Sequence, residues 1–238
     1  MSRYVTQRKL EKGTASPYAR KRPGLRKDQG RRSERRDVHE PSGGETHAQI
    51  VRTAERLFQL IGFQKTTVAD IARELHMSPA NVYRFFATKS QINEGVCKDL
   101  LGKIEAEAER IAASSGTAAE RLRRLFEYIS KTHLRQHRLD RKLHELIEAA
   151  FTENWAIMRQ HTERMTAILE AIIASGMEQG EFAFSDSMLA ASLINTICIR
   201  FCHPRLIVEY ENDTEPSLDQ MIIFCLAGLS KPVQKVES

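Results

Sequence analysis

Residues 66–89 read TTVADIARELHMSPANVYRFFATK, and this stretch decides the fold. Its first half places apolar residues at the spacing of one helix face, at Val68, Ile71, Ala72 and Leu75. Thr67 stands where an N-cap belongs, and Asp70, three residues later, matches the second half of a capping box. We therefore expect a short helix that begins after Thr67 and ends near His76.

A second helix is predicted directly after a tight turn. Ser78 is a strong N-cap, and Pro79 suits the first helical position, where its missing N–H leaves no hydrogen bond unmade. Val82 and Phe86 lie four residues apart and are expected to face inward, which leaves the residues between them on other faces. Two short helices joined by such a turn form the arrangement that lays a helix in a DNA groove.

The next helix and the surface around the turn also suit DNA. Thr88, with Gln91 three residues later, predicts a further capping box. On the second helix, Asn81 and Arg84 carry side chains that can pair with adenine or guanine edges in a major groove. Side chains suited to phosphate contacts, which position a protein without reading sequence, are Thr66, Thr67, Tyr83 and Lys89. Pro79 and Ala80 complete the predicted DNA-contacting set.

Spacing alone leaves two interpretations open, because a plain helical hairpin with a polar outer face would share this pattern. Residue identity favours DNA binding. The stretch resembles the DNA-binding domain of TetR-family repressors, in which a threonine pair opens the second helix. The third helix of that family carries an apolar–Tyr–x–x–Phe core followed by Lys, here residues 82–86 and Lys89.

The resemblance extends to the preceding helix. Residues 50–63 read IVRTAERLFQLIGF and match the first helix of the family and its glycine exit at Gly62. In all, it covers about fifty residues, from His47 to about Val96. What it implies is an N-terminal three-helix DNA-binding domain of the helix-turn-helix type.

Two positions depart from the family pattern. His76 occupies a turn position where the family often has glycine, so we expect a left-handed conformation, which His tolerates better than most residues. Phe85 stands where Tyr or His is common, and it lacks the hydrogen bond that those residues could make to a phosphate. Base reading is therefore predicted to rest chiefly on Asn81 and Arg84.

The composition favours an all-α protein. The 238 residues are 41% hydrophobic, which is ample for a core, and include only 12 Gly and 7 Pro without alternating β-branched runs. With no apolar stretch of about eighteen residues and no apolar signal region after Met1, we expect a cytoplasmic protein without membrane contact. The predicted divisions are a basic disordered arm at 1–44, a helix-turn-helix domain at 45–90, a helical effector-binding and dimerisation domain at 91–230 and a tail at 231–238.

Charge is distributed unevenly along the chain. Residues 1–40 hold 13 Lys or Arg against 5 Asp or Glu, a balance of +8 within a net charge of +5, so the remaining 198 residues sum to −3. Few apolar residues accompany these basic clusters, which predicts disorder. Two interpretations stay open: a flexible arm that neutralises phosphates or reaches a minor groove, and a solvated tail or translated leader without such a role.

The remainder of the chain is predicted to form helices. One helix from 89 to 113 links the head to the body, and Asn154 is expected to cap a later long helix. The run at 187–202 is apolar nearly all round and must be covered on every side, which in a chain of this size indicates a partner subunit. A last helix near 217–229 carries a second broad apolar surface. The predicted dimer interface consists of Leu193, Ile197, Phe201, Leu218, Met221, Ile222 and Cys225.

The alternative for these residues is burial within the chain. In the TetR family the final two long helices form a four-helix bundle with a symmetry mate, and the resemblance implies the same homodimer here. A two-fold dimer would place its recognition helices about one helical turn of DNA apart, ~34 Å, or a multiple of this, and so favours a palindromic operator.

A ligand cavity is the second site that the resemblance implies. Bulky residues occur on the helices that enclose the effector cavity in TetR-like proteins, namely Phe126, Phe151, Trp155, Met158 and Met165. An apolar cavity between bundled helices is a common ligand site, although a Met and aromatic stripe is also typical of an ordinary core. The expected effector, a small molecule of unknown identity, would be apolar or aromatic, and Met would tolerate several shapes.

Cysteine and histidine residues indicate no further chemistry. Four cysteines in a cytoplasmic protein, at spacings that fit no common zinc pattern, are interpreted as small buried hydrophobes rather than redox sensors. Polar residues of the body are interpreted as a solvated surface rather than interior contacts to a metal or acidic ligand, namely His133, His137, His144, His161, Glu145 and Glu148. Catalytic motifs are absent, so we expect no enzyme activity, no cofactor and no metal.

Together these patterns predict an all-α, homodimeric transcriptional regulator that resembles the TetR family and acts as a ligand-responsive repressor. As the resemblance implies, a ligand in the body would shift the fourth helix and change the separation of the two DNA-binding heads. The alternative is an effector-independent architectural or accessory protein, in which the basic arm dominates DNA binding and the body serves only dimerisation.

Overall fold

The computed structural model describes residues 43–153 and 155–230, and every regular element in these ranges is an α-helix. The all-α prediction is therefore confirmed for the described residues. Almost all of the predicted arm at 1–44, the tail at 231–238 and the predicted cap Asn154 lie outside them. No described helix combines the length and apolar composition that crossing a membrane requires.

The helices fall into a head, a connecting helix and a body. The head consists of α1 (Gly43–Ile61), α2 (Val68–Glu74) and α3 (Pro79–Tyr83), and α4 (Lys89–Ala112) leads from it into the body. The body continues with α5 (Ala118–Leu139), α6 (Arg141–Thr152), α7 (Ala156–Glu178), α8 (Ser187–Ile197), α9 (Ile199–Cys202), α10 (Pro204–Glu209) and α11 (Leu218–Leu229).

Local hydrogen bonds define the helix starts of the head. The Thr67 hydroxyl accepts from the Asp70 N–H at 3.1 Å, and the Asp70 carboxylate accepts from the Thr67 N–H at 2.9 Å, which confirms the predicted capping box. At α4 the box closes differently. The Thr88 hydroxyl accepts from the Gln91 N–H at 3.2 Å, but the Gln91 side chain accepts from the N–H of Ala87 rather than from that of Thr88.

The turn between α2 and α3 is centred on His76. Its φ of +54° confirms the predicted left-handed conformation. The His76 N–H donates to the Arg73 carbonyl at 3.1 Å, and the Met77 N–H donates to the Ala72 carbonyl at 2.9 Å. This pair of bonds is the Schellman arrangement, and it satisfies two carbonyls that the end of α2 would otherwise leave unpaired.

Two hydrophobic clusters stabilise the described residues. The first joins head residues such as Phe58 and Ile71 to α6 residues such as Leu146. The second lies within the body and includes Leu125 and Ile172. The first cluster contains residues of both α1 and α6, so α1 packs directly on the body. Helix α4 runs without a break across the domain division predicted at 90/91.

The contact of α1 with α6 also includes polar bonds. The Gln59 amide donates to the Asp140 carboxylate at 2.8 Å, and the Lys142 ammonium donates to the carbonyl of Leu60. Asp140 is itself the N-cap of α6, where it accepts from the Leu143 N–H at 3.3 Å. One carboxylate thus caps a body helix and contacts a head helix.

The C-terminal helices differ from the sequence prediction. The run expected as one helix at 187–202 is divided at Cys198 into α8 and α9. Helix α9 ends at Cys202, and Pro204 then occupies the first turn of α10, a helix that the sequence pattern does not predict. Ser217 caps α11 with a complete capping box, so the last helix begins where the sequence places it.

Candidate nucleic-acid interface and internal cavity

Helix α3 ends at Tyr83, earlier than the sequence pattern predicts, so Arg84 is its C-cap and Phe86 lies beyond it. The polar side chains of this segment face outward because its apolar side chains are buried. Val82 is fully buried and Phe86 almost so, whereas Tyr83 and Arg84 are exposed and Asn81 is half-buried. The Arg84 guanidinium lies 3.5 Å from the side-chain oxygen of Asn81. The two side chains predicted to read bases therefore lie side by side, and Pro79 and Ala80 are exposed at the start of the same helix.

Two predicted phosphate anchors are accessible and held in place. Thr67 is exposed, and its hydroxyl lies 2.7 Å from the Asp70 carboxylate. Lys89 is half-buried, and its ammonium donates to the Gln64 carbonyl at 3.1 Å. Burial lowers the pKa of Lys89. An ammonium has three protons, so two remain for a phosphate.

Thr66 has a structural role instead of the predicted contact with phosphate. Its side chain is fully buried, and its hydroxyl donates to the Gly62 carbonyl at 2.9 Å. A buried hydroxyl that is already bonded cannot reach a phosphate on the surface. The bond instead closes the loop between α1 and α2, in which Gly62 adopts a φ of +88°.

Phe85 packs against the first hydrophobic cluster and is only half-buried. A phenyl ring has no hydrogen-bond donor, so this position contributes packing to the head. This placement agrees with the prediction that Phe85 makes no hydrogen bond to a phosphate.

A surface of large apolar side chains covers the outer faces of α8 and α11. Ile223 is 59% exposed and Phe224 is 67% exposed on α11. On α8 the exposed apolar residues are Met188, Leu189, Leu193 and Ile197. We name this set, with Ile223 and Phe224, the apolar surface. Leu193 and Ile197 belong to the predicted dimer interface, and the other four were not identified from the sequence.

Some predicted interface residues pack within the chain instead. Ile222 and Cys225 are buried in the second hydrophobic cluster, and Phe201, Leu218 and Met221 are half-buried. Ile222 and Cys225 therefore face the core of their own chain, which corrects their prediction as dimer-interface residues. Because α11 is apolar on two sides, periodicity alone could not distinguish the side that faces its own core.

An internal cavity of about 120 Å³ lies between the body helices. Three of the five predicted pocket residues, Phe126, Phe151 and Met165, line it together. Trp155 and Met158 do not, because both pack in the first cluster at the head side of the body, which corrects their prediction. Further apolar lining comes from Ile104, Leu125, Ile129, Leu169 and Ile199.

Polar residues at this cavity were largely missed by sequence reasoning. They are His133, His161, Thr162, Asn195, Cys202 and His203. His133, His144 and His161 are all buried, so interpreting them as a solvated surface is wrong. The signal was present for His133, because it continues the apolar stripe of Phe126 and Ile129 at helical spacing.

The imidazoles of the cavity are held in their neutral form. Burial lowers the pKa of His133 to about 3, and the neighbouring imidazoles of His161, His144 and His203 lower it further. Burial also lowers the pKa of His161. Glu105 acts in the opposite direction and raises it, since its Oε1 lies 2.7 Å from the His161 Nδ1. Among residues 43–153 and 155–230, no atom bonds the Nδ1 of His133.

All four cysteines are free. Cys97, Cys198 and Cys225 are buried, and burial raises the pKa of Cys97 to about 12. The sulfur atoms of Cys198 and Cys225 are 4.0 Å apart inside the second cluster. Among the described residues, no group of three or more His, Cys, Asp or Glu is arranged to hold a metal ion.

A short exposed polar helix, held by buried residues after a tight turn, is the helix-turn-helix arrangement. Residues 50–96 match the family described as bacterial regulatory proteins, tetR family. Residues 118–220 match the tetracyclin repressor-like C-terminal domain. The two matches together span more than half of the chain, and the chain belongs to the TetR family of transcriptional regulators.

Several solved structures have a fold similar to that of this chain. A TetR/AcrR-family regulator from Thermobifida fusca has a TM-score of 0.56 at 20% identity, over 80% of this chain and 99% of that one. A TetR-family regulator from Pectobacterium atrosepticum has a TM-score of 0.57 at 17% identity, over 79% and 91% of the two chains. FadR from Bacillus subtilis, in complex with stearoyl-CoA, has a TM-score of 0.54 at 21% identity, over 79% and 100%. Comparison with curated proteins gives no match.

Proposed function

We propose that the protein is a sequence-specific repressor that binds a palindromic operator as a homodimer and is released by a small effector. The outer face of α3 carries this proposal. Asn81 and Arg84 lie next to each other there, and the buried Val82 and Phe86 hold the helix that presents them.

The proposed contacts divide by role. Asn81 and Arg84 would read base edges, since carboxamide and guanidinium groups pair with adenine and guanine in the major groove. Tyr83, Thr67 and Lys89 would bind backbone phosphates, with the exposed Pro79 and Ala80 close to the groove wall. Thr66 is left out of this set because its hydroxyl is buried and bonded.

The apolar surface supports the homodimer. Six large apolar side chains that face water on adjacent helices would cost free energy in a monomer, at about 25 cal/mol per Å² of apolar area. Contiguous exposed apolar areas mark interfaces between proteins. A second copy of the same surface covers it in an isologous, two-fold arrangement, which also matches a palindrome.

Helix α4 is the proposed connection between the cavity and the head. Ile104 of α4 lines the cavity, and the adjacent Glu105 bonds His161 of α7. The same helix begins at Lys89, directly after the recognition helix. A ligand that separates α4 from α7 would therefore move the head. A tenfold preference of the ligand for the conformer that does not bind DNA supplies ~1.4 kcal/mol of coupling.

The proposal includes no catalysis, because the sequence contains no catalytic motif. The repressor would act in the cytoplasm, where its operator DNA is. The alternative, an effector-independent accessory protein that relies on the basic arm, differs in one measurable respect. It would cover DNA without sequence preference.

Footprinting of the full-length protein on the DNA that flanks its own gene tests the proposal. We expect protection of one palindrome whose half-sites are about 34 Å apart or a multiple of this. Uniform coverage of flanking and random DNA would contradict the repressor and support the accessory protein.

A further inference from the structure

We propose that the internal cavity binds a small carboxylic acid with an apolar body, and that His133 and the neighbouring imidazoles receive its carboxylate. This inference rests on the proposed effector role of the cavity. It is carried by three observations: the size and apolar walls of the cavity, the absence of charged side chains from its described lining, and a buried imidazole nitrogen without a partner.

The size and walls of the cavity restrict the body of the ligand. Its volume is about 120 Å³, and two phenyl rings, those of Phe126 and Phe151, line it. An engineered apolar cavity of about 150 Å³ admits benzene. A single ring or a short alkyl chain is therefore the size that this conformation accommodates, and the flexible Met165 can adjust to either shape.

The polar part of the lining distinguishes an anion from a cation. No Asp, Glu, Lys or Arg occurs among the described residues that line the cavity. A buried charge needs a counter-charge. A cationic ligand would find none in this lining, whereas an anionic ligand can generate one by protonating an imidazole. The lining therefore selects an acid over an amine.

Two imidazoles of the cavity lining have a nitrogen available to a carboxylate. His133 is 3% exposed, and its Nδ1 has no partner among the described residues, although a buried polar atom left unpaired is destabilising. At His203 the Nδ1 accepts from the Arg205 N–H at 3.3 Å, so the ring proton lies on Nε2 and can be donated. The Phe151 ring packs 4.7 Å from the His203 ring and fixes its position.

Binding of an acid must also change protonation. The groups that act on His133 come from several helices: Gln136 on α5, His144 on α6, His161 on α7 and His203 before α10. Charged groups act on these neighbours in turn: Glu105 of α4 on His161, Glu148 of α6 on His144 and His203, and Arg205 of α10 on His203. Cys202 of α9 lines the same cavity. Burial keeps the pKa of His133 at about 3, so the ring is neutral near pH 7. A carboxylate beside the ring raises that pKa, because an opposite charge favours the protonated form.

The sign of the pH dependence follows. At pH values between the two His133 pKa values, each bound acid takes up one proton, so affinity rises as pH falls, by up to about tenfold per pH unit. Above the raised pKa, no proton is taken up and affinity becomes constant. A neutral ligand of the same shape leaves His133 neutral, and its affinity does not follow pH in this way.

The test is calorimetric titration of the full-length protein with benzoate and hexanoate, each compared with its amide, benzamide or hexanamide. Measurements at several pH values from about 5.5 to 8, in buffers of different ionisation enthalpy, give both affinity and proton uptake. We expect at least one acid to bind about tenfold tighter than its amide at the lowest pH, to weaken as pH rises, and to take up close to one proton.

Two matched variants test whether His133 is the group that takes up the proton when the acid binds. His133→Asn keeps hydrogen-bonding atoms but cannot titrate, so it should lose proton uptake and pH dependence while retaining amide binding. His137→Asn is the control, because His137 lies near His144 but outside the cavity lining, and it should behave as the unaltered protein. If His133→Asn fails to fold, the pH profile and proton uptake of the unaltered protein still decide the question.

Equal affinity for acids and amides, a flat pH profile, or no binding of either acid would overturn the inference. The operator footprint tests the repressor proposal separately. If benzamide or hexanamide releases the protein from the operator and neither acid does, the repressor proposal stands and the proposal of an acidic ligand is wrong.

Discussion

The outer face of α3 and the apolar surface on α8 and α11 are both exposed, yet they carry opposite kinds of side chain. At α3 the exposed residues include Tyr83 and the C-cap Arg84. On α11 the large exposed apolar residues are Ile223 and Phe224. In both places the inner face of the helix is buried in a hydrophobic cluster.

The difference shows that burial of the inner face positions a helix, while the chemistry of the outer face selects its partner. Guanidinium, carboxamide and phenol groups suit the edges and phosphates of DNA. Large apolar groups suit another protein surface, because water is expelled when they meet. Five substitutions, tested in four experiments, can contradict or refine this comparison.

Phe224→Asp should have the largest effect. A carboxylate within the proposed dimer interface would be desolvated without a partner, so we expect dissociation of the proposed dimer to increase by more than about a hundredfold, or roughly 3 kcal/mol. Sedimentation velocity over a range of concentrations measures this. Leu139→Asp, at a side chain 74% exposed at the end of α5, is the matched control and should leave the dimer intact. A Phe224→Asp dimer of normal affinity would show that the apolar surface is not the interface.

Arg84→Ala should lower operator affinity by ~1–3 kcal/mol while nearly preserving affinity for random DNA, because a base-reading side chain contributes only at the correct base. Binding assays on both DNAs at one salt concentration measure the difference. Arg110→Ala removes a similar charge near the end of α4, where Arg110 pairs with Glu107, and serves as control. An equal loss on both DNAs would assign Arg84 to a phosphate instead.

Thr66→Val and Thr67→Ala should separate packing from DNA contact at neighbouring positions. Each removes a hydrogen bond that supports α2 or the loop before it, so each should lower the free energy of unfolding by about 1 kcal/mol. Only Thr67→Ala should also lower affinity for operator and random DNA alike, because its hydroxyl is exposed to a phosphate whereas Thr66 is buried. Chemical denaturation and DNA-binding assays measure the two effects. A loss of DNA affinity for Thr66→Val would restore its predicted phosphate contact.

His76→Gly should have the smallest effect. The left-handed conformation costs a residue with a Cβ about 1–2 kcal/mol, and glycine avoids this cost but loses about 0.5–1 kcal/mol in chain entropy. We expect a gain of about 0.5 kcal/mol in the free energy of unfolding. His76→Val should be destabilising at the same turn. A glycine variant less stable than the unaltered protein would mean that the imidazole contributes a contact at the turn.

Much of the head could be predicted from the sequence because its signals are short-range. A cap at Thr67 or Ser78 depends on residues three positions away, and the conformation of His76 depends on its own turn. The body was less predictable. Its helices were largely anticipated, but the faces they turn toward each other depend on residues distant in the chain.

The candidate sites show the same division. Asn81 and Arg84 were placed on the outer face of α3 from spacing alone, whereas Thr66 required the fold to show that it is buried. At the cavity, two of the five predicted residues pack elsewhere and the histidines were misplaced. His133 continues an apolar stripe at helical spacing, so its position gives a periodic signal that indicates burial.

By itself, the sequence determined the all-α fold, the helix-turn-helix, its caps and the family, because each of these depends on side chains within a few positions of one another. Only the tertiary structure decided which side of α11 is buried, that Thr66 supports a loop, and that His133 meets Phe151 and His203 around one cavity. Those outcomes depend on which helices pack together, and that choice is made by the burial of whole faces rather than by any local pattern.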